Sequence, residues 1–248
     1  MKTQFKGTDV LRGMKYLSMS GMKVEQVEKA IKPTIHLTGA AQLNASEGFG
    51  LKESADIFSN ILTAFKVDKG KEKQIADKLA YAFSNANMDL EELGRALRNL
   101  APLAKPAGVS FEDSVALLMS LSGSGIKGEL AGTAVAGSFS RLLNLTPEAQ
   151  EILVERYDLK KEERQKFISD DGKIVDFVGF LAFMERRDVK IGEVMKILGQ
   201  ESGKYLIGQI KNHQDIRDLS KKLGGVKDKN GKEVGAEYSG AAKRFNDV

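Results

Sequence analysis

Apolar residues recur in steps of three and four along nearly the whole chain, and that spacing limits the chain to stacked amphipathic helices. Leu90, Leu93, Leu97, Leu100 and Ala104 share one helix face. Phe58, Ile61, Leu62 and Phe65 form a second stripe, and Ile75, Leu79, Ala82 and Ala86 a third. Val115, Leu117, Leu118 and Leu121 form a fourth. Val24, Val27 and Ile31 make a shorter one, which Pro33 is expected to end. Met14, Met19 and Met22 read as core packing. Alternating strand patterns are weak throughout.

The joints between stripes carry turn and capping chemistry. Ser110 and Asp113 have the spacing of a capping box. Thr146-Pro147-Glu148 supplies an N-cap, a proline at the first helical position and an acid at the positive helix end. A similar phrase recurs at Gly21-Met22-Lys23-Val24-Glu25, Asn87-Met88-Asp89-Leu90-Glu91 and Gly108-Val109-Ser110-Phe111-Glu112. Its intervals are unequal, so it marks joints of consecutive helices and not a solenoid repeat.

The expected fold is therefore all-α. Roughly ten short antiparallel amphipathic helices are joined by Gly and Asn turns. Asp170-Asp171-Gly172-Lys173 separates the helix after Thr146 from the apolar run 174–184, whose spacing favours helix. The near-symmetric stretch 226–234 around Asn230-Gly231 suits one small β-hairpin or polar loop. Residues 1–220 are expected as one helical core with a sub-boundary near 160–173. Residues 221–248 are expected as a polar linker and the start of another helix.

Composition narrows the chemistry. With no Cys among 248 residues, disulfides, thiol nucleophiles and cysteine metal sites are excluded. Two histidines, His36 and His213, stand far apart in no ligand spacing. The acidic pairs Glu91-Glu92, Glu162-Glu163 and Asp170-Asp171 are adjacent residues, which do not share a helix face and read as solvated charge. Residues 1–10 are polar, without the apolar core of a signal peptide, and no apolar run reaches the ~18 residues of a membrane span. No catalytic residue, metal ligand or cofactor is expected.

Gly123-Ser124-Gly125-Ile126-Lys127-Gly128 matches the letters of G-x-G-x-x-G. A dinucleotide site needs a strand before that loop and a helix after it. The capping box at Ser110 puts a helix before it, so a turn between helices is the favoured reading and a nucleotide-binding enzyme the alternative. Gly128, Gly132, Ala136 and Ser140 follow four apart, a small-residue stripe on which two helix backbones can approach closely. Its partner is a helix of this chain or of another copy. Gly123, Gly125, Gly128, Gly132, Ala136 and Ser140 are the candidate structural and interaction positions. Lys221, Lys222, Lys227, Lys229 and Lys232 form a basic cluster interleaved with acids. With a net charge of only +4 and both signs mixed, a solvated tail is favoured over a nucleic-acid-binding module.

Taken together, these residues have a counterpart. Leu93-Gly94-Arg95-Ala96-Leu97, Ala101-Pro102, Gly108-Val109-Ser110 and Gly125-Ile126-Lys127-Gly128 with Ala131-Gly132-Thr133-Ala134 resemble the core region of phage tail tape measure proteins. Residues 16–22, Asp171-Gly172, residues 197–200 with Tyr205-Leu206, and Gly240-Ala241-Ala242 extend the similarity over about 12–245. The block 125–134 is its specific part.

The resemblance implies a mainly helical, non-enzymatic component of a phage or prophage tail. It implies partners among other copies of itself, tail tube, tail tip and tail-assembly chaperone proteins, with no specific nucleic acid and no stable membrane insertion. It places the chain in the virion tail interior, after a period in the host cytoplasm during assembly. Even as one unbroken helix the 248 residues would span only about 370 Å. Such a chain is expected to be a fragment or a shortened relative, and to act in tail assembly and length determination as part of a longer polypeptide.

Overall fold

Burial follows the helical stripes. The computed structural model describes residues 5–42 and 49–224, and the backbone of 226–227 and 233–234. Leu90, Leu93, Leu97, Leu100 and Ala104 are all buried on α5 (Leu90–Ala107). Phe58, Ile61, Leu62 and Phe65 are buried on and just after α3 (Leu51–Ala64), and Ile75, Leu79 and Ala82 on α4 (Glu72–Ser84). Val115, Leu117, Leu118 and Leu121 line the inside of α6 (Phe111–Gly123). The described residues form an all-α fold of thirteen α-helices, with one π-helical turn and two short strands.

Local capping explains where several helices begin. The Ser110 hydroxyl accepts from the Asp113 amide at 3.0 Å and donates to the Asp113 carboxylate at 2.8 Å. At the start of α5, the Asp89 carboxylate accepts from the Glu92 amide at 2.7 Å, and the Asp89 amide donates to the Glu92 carboxylate at 3.1 Å. Ser110 satisfies one amide that the first helical turn leaves without a partner, and the Asp89–Glu92 pair is a reciprocal box. Gly21 and Gly108 take positive φ at the joints before α2 (Val24–Ala41) and α6, a conformation that favours glycine.

Three expectations are corrected. Pro33 does not end its helix; α2 continues to Ala41. A proline costs about 3 kcal/mol inside a helix. Beyond it, however, Thr34, Ile35, Leu37, Thr38, Ala40 and Ala41 are all buried, and each large apolar side chain recovers about 1.5–3 kcal/mol. The Thr34 and Thr38 hydroxyls donate back to the Ala30 and Thr34 carbonyls at 2.8 and 2.7 Å, so neither is orphaned in the core. Met19 is 69% exposed and Met14 half-buried, because α1 (Gly7–Met19) turns Gly13 and Leu17 inward, and Met22 is half-buried in the joint after it.

The third correction concerns the helix after Thr146. It breaks into α8 (Pro147–Glu151), a π-helical turn (Ile152–Arg156) and α9 (Lys161–Arg164). Its buried residues, Ile152, Leu153, Leu159, Phe167 and Ile168, fit no single helical stripe, so the chain bends to bury them together. In the apolar run 174–184, Ile174 pairs with Ile168 in an isolated bridge, and α10 (Phe177–Arg186) takes the rest.

Two units share the chain. The first runs to Gly94 and resumes at Lys222; the second is Arg95–Lys221. Residues 160–173 lie inside the second unit. In the first, α2 packs against α1, α3 and α4. In the second, α7 (Gly128–Leu143) packs against α6, α11 (Ile191–Leu198) and α12 (Gln200–Lys211). Val226–Lys227 pairs antiparallel with Glu233–Val234, while Asn230-Gly231 lies outside the described residues.

Candidate functional site

The segment 123–128 joins α6 to α7, so a helix precedes it where a dinucleotide site needs a strand. Three of its amides are already engaged. Those of Ser124 and Ile126 donate to the Leu121 carbonyl at 2.9 and 3.1 Å, and that of Gly125 to the Ser122 carbonyl at 3.0 Å. These bonds close the end of α6 and take the amides of Ser124, Gly125 and Ile126 away from any phosphate.

The six candidate positions separate by what surrounds them. Gly125 takes φ +78° and Gly128 φ +55°, which an L side chain resists. Gly123 has ordinary φ and open space around it, so its lack of a side chain serves no contact. Gly132 is the tightest. A Cβ there would lie 2.2 Å from the Ala96 carbonyl oxygen and 2.9 Å from the Ala96 Cα. Beside it, the Asn99 amide reaches the Glu129 carbonyl at 3.4 Å and the Thr133 hydroxyl at 3.2 Å. At this point α7 lies backbone to backbone on α5 of the same chain. Farther along, Ala136 is half-buried and Ser140 is exposed.

Two glycines outside the four-residue stripe also make close contacts. A Cβ on Gly137 would meet the Ser202 hydroxyl at 2.1 Å, where α7 faces α12. One on Gly203 would meet Met195 Cα at 3.1 Å and the Val194 carbonyl at 3.2 Å, where α12 faces α11. Interior helical glycine costs about 1 kcal/mol relative to alanine, and that cost is the sequence signal that marks such positions.

Polar ties accompany these contacts. The buried Gln209 side-chain carbonyl accepts from the Ser120 hydroxyl, joining α12 to α6. The Asp176 carboxylate caps α10 through the Gly179 amide at 2.7 Å and pairs with Arg217 at 3.0 Å. Glu193 is buried on α11 and accepts from the Tyr157 hydroxyl and from Arg156. The Tyr157 hydroxyl, and secondarily Arg156, hold the Glu193 carboxyl below its usual range despite its burial. Burial first, and the bond to Glu193 second, push the Tyr157 hydroxyl up. The amide of Lys190 donates to that hydroxyl at 3.2 Å.

The other charged candidates are scattered. Glu163 pairs with Arg186 at 2.8 Å, and Asp171 with Lys173 at 2.6 Å. His213 Nε2 lies 2.8 Å from the Glu185 carboxylate. Among the described residues, no three His, Asp or Glu side chains gather as metal ligands, and no helix is long and apolar enough to cross a membrane. Of the basic residues at 221–232, Lys221 pairs with Asp218 at 3.6 Å, while Lys229 and Lys232 lie outside the described residues.

Comparison with known proteins points the same way as the glycine-marked block. The family described as phage-related minor tail protein matches residues 1–237. The chain is 29% identical over 161 residues to the tape measure protein of Pneumococcus phage Dp-1, covering 63% of this chain and 14% of that protein. It is 28% identical over 139 residues to the probable tape measure protein of Escherichia phage P2, covering 56% of this chain and 16% of that protein. The matched stretches thus span about a seventh of these relatives' lengths. No solved structure matches the chain. With the family pattern running through both units and an all-α fold beneath it, the chain belongs to the phage-related minor tail proteins.

Proposed function

We propose that the chain is a structural component of a phage or prophage tail: the helical region of a tape-measure-type protein, acting in tail assembly and length determination. The family match over 1–237 carries this reading. The relatives it resembles are several times longer, so length setting belongs to a longer polypeptide of which these helices are one part. The region works by packing and not by reaction, which fits the mutual bonding of Tyr157, Glu193 and Arg156 and the engaged amides of Ser124, Gly125 and Ile126.

In this role Gly125, Gly128 and Gly132 hold the second unit together. Ala136 and Ser140, at the outward end of the stripe, offer surface to another copy or to tube, tip or chaperone proteins. The antiparallel pair at 226–227 and 233–234 fits the base of a polar hairpin leading into a further helix. The protein resides in the virion tail, after assembly in the host cytoplasm.

An in-frame deletion of codons 95–221 in the phage or prophage that carries the gene tests this. Electron microscopy is expected to show absent tails or tails of altered length, with infectious particles lost. Tails of unchanged length with full infectivity overturn the assignment.

A further inference from the structure

We infer that Asp171 is a site of spontaneous isomerisation to isoaspartate, restrained by Ser169 and Lys173. Asp171 is the one aspartate in the sequence that a glycine follows, and both residues are exposed in the turn between the paired Ile168 and Ile174. The reaction is intramolecular. The Gly172 nitrogen bonds to the side-chain carboxyl carbon of Asp171, the carboxyl hydroxyl and the amide proton leave as water, and a succinimide ring closes. Water then adds to the main-chain carbonyl of the ring and breaks its bond to that nitrogen, so the chain now runs through the side-chain carbon. Atoms balance without an oxidant or a second reactant, and the product has the mass of the starting chain. With no side chain on Gly172, and nothing within 4 Å of where its β-carbon would stand, the ring has open space in which to close.

Three bonds hold the reaction back. The Asp171 carboxylate accepts from the Lys173 ammonium at 2.6 Å and from the Ser169 hydroxyl. Lys173 first, and Ser169 second, hold the carboxyl below its usual range, and only the neutral acid can give up its hydroxyl to the amide. The Gly172 amide itself donates to the Ser169 carbonyl at 3.0 Å. The ion pair is unsheltered. Its Asp171 and Lys173 side chains are 60% and 57% exposed, where water competes for both ends and the pair holds only weakly. The restraint therefore slows ring closure without abolishing it. The product falls at a structural joint. Isoaspartate adds a methylene to the main chain between Ser169 and Lys173, whose amide-to-carbonyl bond at 2.8 Å closes the turn. The next amide, that of Ile174, donates to the Ala107 carbonyl at 2.7 Å, so the lengthened turn is felt at the joint before α6.

The purified full chain, incubated for weeks at neutral pH in water enriched in heavy oxygen, tests this. Peptide mapping by mass spectrometry, with fragmentation that tells isoaspartate from aspartate, reads each position separately. The chain unfolded in urea supplies the unrestrained rate. Isoaspartate carrying heavy oxygen is expected to accumulate at Asp171 in the folded chain, more slowly than in urea. Lys173→Met is expected to speed the folded chain about threefold, the scale of a weak exposed pair, and to change the rate in urea little. As product builds up, a second Gly108 amide NMR signal is expected. If Lys173→Met does not fold, the folded and urea rates of the wild-type chain decide. A folded chain that forms no isoaspartate at Asp171 while the unfolded chain converts, or that converts only at other positions, overturns the site. A folded rate equal to that in urea, or equal for wild type and Lys173→Met, overturns the restraint. An unchanged Gly108 signal in converted protein overturns the link to the joint. The assay uses isolated protein, so its failure leaves the tail assignment untouched.

Discussion

Interior glycines face different neighbours in the two units. In the first unit they meet side chains: a Cβ on Gly13 would lie 2.9 Å from Leu51 Cγ, and one on Gly94 would lie 2.7 Å from Ile57 Cγ2. In the second unit Gly137 and Gly179 likewise meet side chains, Ser202 and Asp176, but Gly132 and Gly203 meet backbone, at Ala96 and at Val194 and Met195. A side chain can shift by a few tenths of an ångström. A helical carbonyl moves only if its helix moves. Glycine therefore shapes the side-chain fit of the first unit, while at Gly132 and Gly203 it sets the helix spacing of the second.

The largest expected effect tests that contrast directly. Gly132→Ala should destabilise the second unit by about 3 kcal/mol, since the new methyl must push α7 off α5. Gly94→Ala should cost about 1 kcal/mol, because strain against Ile57 is partly offset by better helix propensity. Chemical denaturation of both variants checks this, and equal losses would break the distinction.

Next, Glu193→Gln should cost about 1.5 kcal/mol at neutral pH, chiefly through the Tyr157 bond, because Arg156 is largely solvent-exposed and contributes little. The folded Glu193 carboxyl is held below its usual range, so its contribution is complete above that range and lost as pH falls through the lowered value. Melting curves of wild type and variant should therefore converge in acid. Curves that stay parallel would show that the Tyr157–Glu193 contact does not stabilise the fold.

The turns sharpen the comparison at smaller scale. The first unit places Lys66 at φ +48°, while the second places Gly125 at φ +78°. Gly125→Ala should lose about 1 kcal/mol, and Lys66→Gly should gain about 0.5 kcal/mol. Smallest of all, Gly123→Ala should gain about 0.5 kcal/mol by restricting the unfolded chain where open space awaits the methyl. Differential scanning calorimetry resolves the signs of these three changes.

Helix positions were legible because an apolar stripe such as 90–104 repeats at the helical period whatever it packs against. The stop expected at Pro33 misleads because the local cost of proline says nothing of the buried residues that follow it. The division at Gly94 and Arg95 falls inside one continuous stripe on α5, so no change in pattern marks it. The four-residue spacing that finds Gly132 misses Gly137 and Gly203, since each faces a different helix.

Gly132 carries one more consequence, for heredity. Every single-base change in a glycine codon that alters the amino acid, stop codons aside, introduces a residue with a β-carbon, and the Ala96 carbonyl 2.2 Å from that carbon's place leaves room for none of them. At this codon the gene has no neighbouring missense allele that preserves the spacing of α7 on α5, and a saturation screen should recover only synonymous survivors there.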